Sequence, residues 1–589
     1  MSAATPHKLP TLREFFGFMM RFLGPERDFY WLVIIYGIGI SVLSLALPIS
    51  VQLLINTVAN VGLVAPLAVL SITLFGLLLA SGLLNALRIH LMEIFGRRFY
   101  ARMVADITLR SIYARNPFFE DASRTPLFNR YFDIIIIQKT IPILLIGGFT
   151  VMLQSAVGFV LVSLYHPLFL IFNVVVIVLI WTIWLIWGGS AIRNAFILSD
   201  RKHQTAAWLE RLGASNGFFK TERRIQYAID RTDEMTFQYI DQHRRLFRRH
   251  FAQTVSFLVL YAAASAALLG LGGWLVIQGQ LTLGQLVAAE LVLAVAFFGL
   301  SQFGIYLGYF YDVCAAVEEL SRFENVEQEE PVSADVAKRV VEPTLTFFDV
   351  HGRGREGEAV LKFELPGGAL FQAAASNYGM QRLFTNLLRR HQNPQGGYIV
   401  LGGADLLERP AHELRRDIFS LDRSDIIPLT IREYLRISGE SVSPEQIVSA
   451  VNLVGLGGVI AQLDNGFDTE LASTGWPLSI PEVMQLKLAG AVIARPKIVI
   501  LGQLFDLVDP ADFAAALSEL RRDPMTTVIY FSDRRTDFGC DGYFYLSETE
   551  QVVFNTYDEL AVKAYEHDEK VAKLPVLLKP PGGGTRSKA

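Results

Sequence analysis

Three long stretches of the chain contain no Asp, Glu, Lys or Arg: residues 29–87, 140–192 and 251–289, the last resuming after a lone Glu290 and running to residue 311. A helix needs about 20 apolar residues to cross a bilayer. Each stretch therefore predicts two spans joined by a short uncharged loop, giving six spans. The core of a soluble protein does not produce charge-free runs of this length. Pro48 predicts a kink in the first span. The second span continues into a charged helical extension that reaches Arg115, with Arg88, His90 and Glu93 marking where it leaves the membrane. Pro117 and Pro126 break that helix and leave a short turn over residues 116–134. Residues 199–249 are again polar and helical in period, with a break near 213–217. The other hairpins turn at His166-Pro167 and over residues 279–285. Ahead of the spans, residues 1–28 hold an amphipathic stretch, 11–23, that predicts a helix lying on the membrane surface. Arg13, Glu14 and Arg21 interrupt it, so it lacks the apolar core of a cleaved signal peptide.

After residue 323 the pattern changes. Residues 324–343 are polar and acidic and read as a linker. From residue 344 short apolar segments alternate with helical ones, which predicts an α/β domain over 344–567. Strands are predicted at 344–350, 359–365, 369–375, 398–402, 497–502, 526–532, 542–547 and 551–555, and helices at 379–390, 482–494, 510–521 and 557–567. Residues 568–589 end rich in Pro and Gly and are predicted to be disordered. The fold class is multi-domain: an all-α six-helix transmembrane domain over residues 29–323, followed by an α/β domain.

Composition agrees with this division. Of 589 residues, 52% are hydrophobic and 19% charged, with a mean hydropathy of +0.35. The net charge of −4 decides little, but the arginines are distributed unevenly. They crowd the segments after the second and fourth spans and are missing from the hairpin tips near Asn60, His166 and Gln278. Positive segments stay cytoplasmic. Both termini and the α/β domain are therefore expected inside and the tips outside, in a multi-pass protein of the cell (inner) membrane. Cys314 and Cys540 then face the cytoplasm and imply no disulfide. The histidines lack metal-ligand spacing, no Ser/His/Asp arrangement appears, and the arginine runs are helix surface rather than a nucleic-acid interface. Glu290 is the one acid inside the apolar core of the spans. An intramembrane carboxylate is a functional candidate by default; against the reading as a cavity residue stands one in which it snorkels to the outer interface.

The α/β domain opens with a strand–turn–helix, residues 371–390, placed where a phosphate loop of pattern GxxxxGK[ST] would lie. Such a loop needs glycines for backbone approach, a Lys for the phosphate and a hydroxyl for magnesium. Here those places hold Ala374, Gly379, Met380 and Gln381, so only Gly379 fits. Gly-Lys occurs nowhere in the chain.

Two long cytoplasmic helical extensions with short breaks, the runs LALPISVQLLINTV, NPFF…LFNRYFDI and GQLTLGQLVAAELVLA, and in the second domain GGYIVLGGADLLERPAHELRRDIFSLDR, TIREYLRISGE and LDNGFDTELASTGWPLS together resemble the exporter class of ATP-binding cassette (ABC) transporters, over roughly residues 12–565. The resemblance implies a half-transporter with coupling turns near 118–129 and 208–220, and a P-loop-NTPase-like cassette that binds ATP and Mg²⁺. The cassette motifs depart from that family. No aromatic residue stands at 351–355 to stack on adenine. The Q-loop glutamine maps to Arg423, open by one residue because the following loop is shortened. The signature LSGGQ reads Leu478-Ser479-Ile480-Pro481-Glu482. The magnesium Asp and general base of Walker B map to Gly502 and Gln503, and the switch histidine maps to Ser532. Asp509 alone is kept, at the D-loop. The implied reading is a pseudo-ATPase, with ordinary Mg-ATP binding absent. The chain would act as a homodimer or with another half-transporter, and with a periplasmic adaptor in some arrangements, to move a lipid, peptide or protein. The alternatives are a non-transporting scaffold or regulator, and an active exporter with an atypical site.

Overall fold

The computed structural model describes residues 12–60, 64–115, 125–329, 343–354, 357–534 and 537–572. The chain divides near residue 328 into two compact units. The linker residues 330–342, the first part of the turn at 116–134, the first tip at 61–63 and the tail from 573 lie outside the described residues.

The first unit is helical. A short helix α1 (Leu12–Leu23) precedes α2 (Arg27–Ser44) and α3 (Ala46–Asn60), then α4 (Val64–Ile112), α5 (Phe132–Ile143), α6 (Phe149–Ser163), α7 (Pro167–Ala214), α8 (Glu222–Ile277) and α9 (Leu283–Ser321). Six candidate spans of sufficient length and apolarity lie among the described residues. The first is interrupted at Leu45. Pro48 explains this, because it cannot donate to the carbonyl of Ser44, four residues back. The third span passes through a π-helical turn, Leu144–Gly148, just after Pro142. There the helix packs on Tyr306 so closely that a Cβ on Gly147 would sit 2.5 Å from the tyrosine hydroxyl, and only glycine permits that approach. Ile72, Phe75 and Leu79 on α4 are more than half exposed, as side chains facing acyl chains would be. His166 caps α7 through Nδ1, which accepts from the Leu168 N–H. Thr282 and Gln285 form a capping box at α9. Both fall at the predicted hairpin tips.

Arg88 departs from expectation. Rather than facing outward as a surface charge, it is 3% exposed and donates to Thr150 on α6 and to Asn85 at 2.7 Å. Toward the ends of α5, α7 and α9 a buried ionic network replaces apolar packing. Arg130 lies 2.5 Å from Glu319, and Arg322 lies 3.3 Å from Glu319, 3.4 Å from Glu318 and 3.0 Å from Asp200. Asp133, fully buried, meets Lys202 at 2.9 Å and His203 at 2.6 Å. Phe18, Met19 and Phe22 of α1 pack against the same part of the unit, so part of the apolar face of that helix is covered by protein.

The second unit contains two sheets. One, ordered β2-β1-β4-β5, is antiparallel: β1 (Leu345–Arg353), β2 (Glu358–Leu365), β4 (Gly396–Leu401) and β5 (Ala404–Asp405). The other is ordered β10-β9-β3-β8-β7-β6. In it β3 (Leu370–Ala375), β6 (Ile418–Leu421), β7 (Ile498–Leu501), β8 (Thr527–Phe531) and β9 (Gly542–Leu546) run parallel, and β10 (Gln551–Phe554) closes the edge antiparallel. Strands β7, β8 and β9 are buried along their whole length, as a sheet covered on both faces requires. The helices are α10 (Tyr378–Leu388), α11 (Ala411–Asp417), α12 (Ile431–Arg436), α13 (Pro444–Leu453), α14 (Gly457–Gln462), α15 (Ile480–Ala494), α16 (Pro510–Leu520) and α17 (Tyr557–Ala572). Helix α17 continues past the expected end of the domain at residue 567. The two sheets share a core in which Phe384 of α10 touches the rings of Phe347, Phe363, Phe531 and Phe544.

Candidate nucleotide-site region of the cassette

Strand β3 delivers Ala374 and Ala375 to the turn Ser376-Asn377, and α10 begins at Tyr378. Asn377 is extended, and its Oδ1 accepts from the Met380 N–H at 3.0 Å. That N–H is one of the first-turn donors that a phosphate loop leaves open for an anion. From the β9–β10 turn Glu548 reaches the same loop. Its carboxylate accepts from Ser376 Oγ at 3.0 Å and Asn377 Nδ2 at 2.9 Å. Met380 is fully buried in the apolar core, and its sulfur lies 3.1 Å from where a Cβ on Gly354 would stand. Gln381 is also fully buried, with neither amide atom hydrogen-bonded.

At the end of β7, Gly502 lies against β6. A Cβ there would lie 3.0 Å from the Cα of Asp422 and 3.3 Å from Gln381 Nε2. The residue beside Gly502 is therefore Asp422, while Arg423 turns toward Asp425 at 3.5 Å. The open register of the shortened loop was the only sequence signal for Asp422. Lys487 on α15 holds this segment by donating to the carbonyls of Arg423 at 2.7 Å and Asp425 at 2.5 Å; burial lowers its pKa. Gln503 is half-buried at the start of a 3₁₀ turn, Gln503–Leu507.

Ser532, after β8, donates to Asp506 Oδ1 at 2.9 Å. Tyr530 donates to the same carboxylate, the Asp533 N–H meets its other oxygen at 3.0 Å, and Arg534 donates to the carbonyls of Asp506 and Val508, each at 3.0 Å. Burial and the bond to Asp506 both raise the Tyr530 pKa. The switch position and the D-loop are thus joined through Asp506, a residue that sequence reasoning did not single out. Asp509 caps α16, accepting from the Ala511 N–H at 2.8 Å, a role that a helix start favours without any nucleotide.

At the signature position Leu478 is core and Ser479 is the N-cap of α15. Pro481 sits in the first turn, and Glu482 turns back to accept from the Ser479 N–H at 2.7 Å. This is an S-x-x-E capping box. Ile480 and the nearby Trp476 are exposed, 48% and 73%. A cleft of about 700 Å³ opens beside the phosphate-loop strand between Ala374, Ser532, Arg534, Tyr557 and Tyr565. Among the described residues no group of three or more His, Cys, Asp or Glu is poised to hold a metal.

In the membrane unit Glu290 lies on α9, half-buried, with Oε2 shielded from solvent and without a hydrogen bond. If α9 lines a transport path, Glu290→Gln is expected to alter the rate of substrate movement while leaving the unfolding temperature unchanged. An unaltered rate in a transport assay would assign Glu290 to snorkelling.

Compared with known proteins, the chain resembles the structure of a bacterial Atm1-family ABC exporter with ATP bound, at TM-score 0.77 and 18% identity, over 93% of this chain and 99% of that one. It is 24% identical over 477 residues to the ABC multidrug transporter mdr2 of Aspergillus fumigatus, covering 77% of this chain and 59% of that protein. It is 25% identical over 276 residues to the beta-(1→2)glucan export ATP-binding/permease protein NdvA of Rhizobium meliloti, covering 45% and 46%. The uncharacterized ABC transporter ATP-binding protein YfiC of Bacillus subtilis is 25% identical over 375 residues, covering 59% and 61%. The chain thus spans about half to three-fifths of the length of these curated relatives. No model of a known protein family matches it. The fold is that of an ABC exporter half: six long apolar helices followed by the mixed α/β domain.

Proposed function

We propose that the chain is the membrane subunit of an ABC-type exporter assembly whose cassette has kept its fold and lost nucleotide hydrolysis. One observation carries this reading: the helix starts that would face phosphate are filled by the chain's own side chains. Asn377 and Glu548 occupy the phosphate loop, and Glu482 closes the start of α15. The residues present do not fit magnesium–nucleotide. Met380 offers no charge, Gly502 offers no carboxylate, and an Asp at 502 would need Asp422 to give way. Each hydrogen bond to a charged group contributes roughly 1.5–3 kcal/mol, and micromolar affinity is only about 8 kcal/mol, so losing several such bonds removes most of it.

On this reading the subunit works as a homodimer or beside an active cassette chain, with an adaptor where the cargo must cross a second barrier. The relatives' names point to drugs and a glucan; here a lipid, peptide or protein cargo is proposed. The shielded, unpaired Oε2 of the half-buried Glu290 favours a transport path over a pure scaffold, since a scaffold gains nothing from an intramembrane carboxylate. The arginine distribution supports a cassette and both termini in the cytoplasm. The test is ATP turnover of the purified full chain in lipid nanodiscs. Turnover should equal the blank, and partner-dependent turnover should be insensitive to Gln503→Ala. Turnover abolished by Gln503→Ala would contradict the proposal.

A further inference from the structure

Helix α8 passes from polar to charge-free at Phe251, the edge of the fifth span. Its last two polar turns carry Arg244, Arg245, Arg248 and Arg249, all exposed. Arg245 pairs with Asp241 at 2.8 Å; among the described residues no carboxylate lies within ion-pair distance of the other three. Arg244/Arg248 and Arg245/Arg249 are like charges at i,i+4, an arrangement that repels within a helix. Aromatic rings share this band. Phe247 and Phe251, 57% and 55% exposed, stack at 5.4 Å, and Arg249 lies over Trp187 of α7 at 5.8 Å. Gln242 donates to Asn194 Oδ1 at 2.9 Å and fixes α7 alongside, which brings the exposed Arg193 near the same belt.

We propose that this collar is a binding site for anionic phospholipid headgroups. Guanidinium forks match phosphate oxygens, exposed rings seat at the headgroup level, and a basic cluster beside a span draws anionic lipid. A mere topology signal would need the charges but would not select among lipids.

The test is native mass spectrometry of the delipidated full chain in neutral detergent, titrated with dioleoylphosphatidylglycerol or dioleoylphosphatidylcholine. Phosphatidylglycerol should bind at least about 25-fold tighter, since about fivefold is expected from each arginine near the surface. On the same scale Arg248→Gln with Arg249→Gln should weaken it roughly 25-fold and leave phosphatidylcholine binding unchanged. Arg248→Lys with Arg249→Lys, which keeps the charge and loses the fork, should keep part of the preference; Arg223→Gln farther along α8 should keep all of it, and the unfolding temperature in phosphatidylcholine reports folding of each variant. Equal binding of the two lipids by the natural chain, or an undiminished preference in the glutamine pair, would overturn the site. Displacement of phosphatidylglycerol by millimolar inorganic phosphate would also overturn it, by assigning the collar to a soluble anion.

Discussion

Phe384→Ala is expected to destabilise the cassette by about 3–5 kcal/mol and to lower its unfolding temperature accordingly. Phe384 is fully buried. Its ring lies 5.7 Å from Phe347, 5.9 Å from Phe531, 6.2 Å from Phe363 and 6.3 Å from Phe544. Those rings come from β1, β8, β2 and β9, so one side chain of α10 ties both sheets together. Truncation removes the transfer energy of the ring and leaves a cavity that four strands held by ladder hydrogen bonds cannot collapse to fill. Phe384→Leu, which refills most of the space, should lose much less. Thermal or denaturant unfolding followed by a cassette-specific probe checks this; equal losses for Ala and Leu would show that the site relaxes freely.

In the membrane unit, Glu319→Ala is expected to cost about 3–5 kcal/mol, the usual result of removing one member of a buried ionic group. Glu319 is fully buried and lies within ion-pair distance of both Arg130 and Arg322. The variant leaves these largely buried guanidinium groups facing a vacated site between α5 and α9. Glu93→Ala is the contrast. Its pair with Arg97 is exposed on both sides, 63% and 75%, and solvent already screens it, so no measurable change is expected. Unfolding temperatures of both variants in the same detergent decide the matter; similar values would mean that the network contributes little.

The membrane half was legible because charge within a span is costly, so charge-free runs of about forty residues or more stand out. The break at Leu45 and the turn at His166-Pro167 followed from proline chemistry. The burial of Arg88 was not legible, because its partners are the facing Thr150, 62 residues away, and the neighbouring Asn85. In the cassette, the wholly buried strands β7 and β8 announced themselves as apolar runs. Strand β6, no shorter than β7, did not, since Ser420 interrupts its apolar pattern between Asp417 and Asp422. At the site, sequence gave the substitutions and not their consequences. Glu548 lies 171 residues from Asn377 and Asp506 lies 26 from Ser532, and no local periodicity joins such pairs. Ser479 to Glu482 could be read locally in two ways, as a damaged signature or as a sound capping box; the structure contains the capping box.

Mg-ATP binding to the purified full chain tests the central claim most directly, read as the shift in unfolding temperature at millimolar nucleotide. A ligand at 100 times its dissociation constant stabilises by about 2.7 kcal/mol, so any ordinary site would register. The account predicts no shift for the natural chain. It also predicts none for Met380→Lys, whose ammonium would meet the Glu548 carboxylate before any phosphate while Gly502 still offers magnesium nothing. A clear Mg-dependent shift in the natural chain would contradict it and would make the cassette an active site of unusual composition.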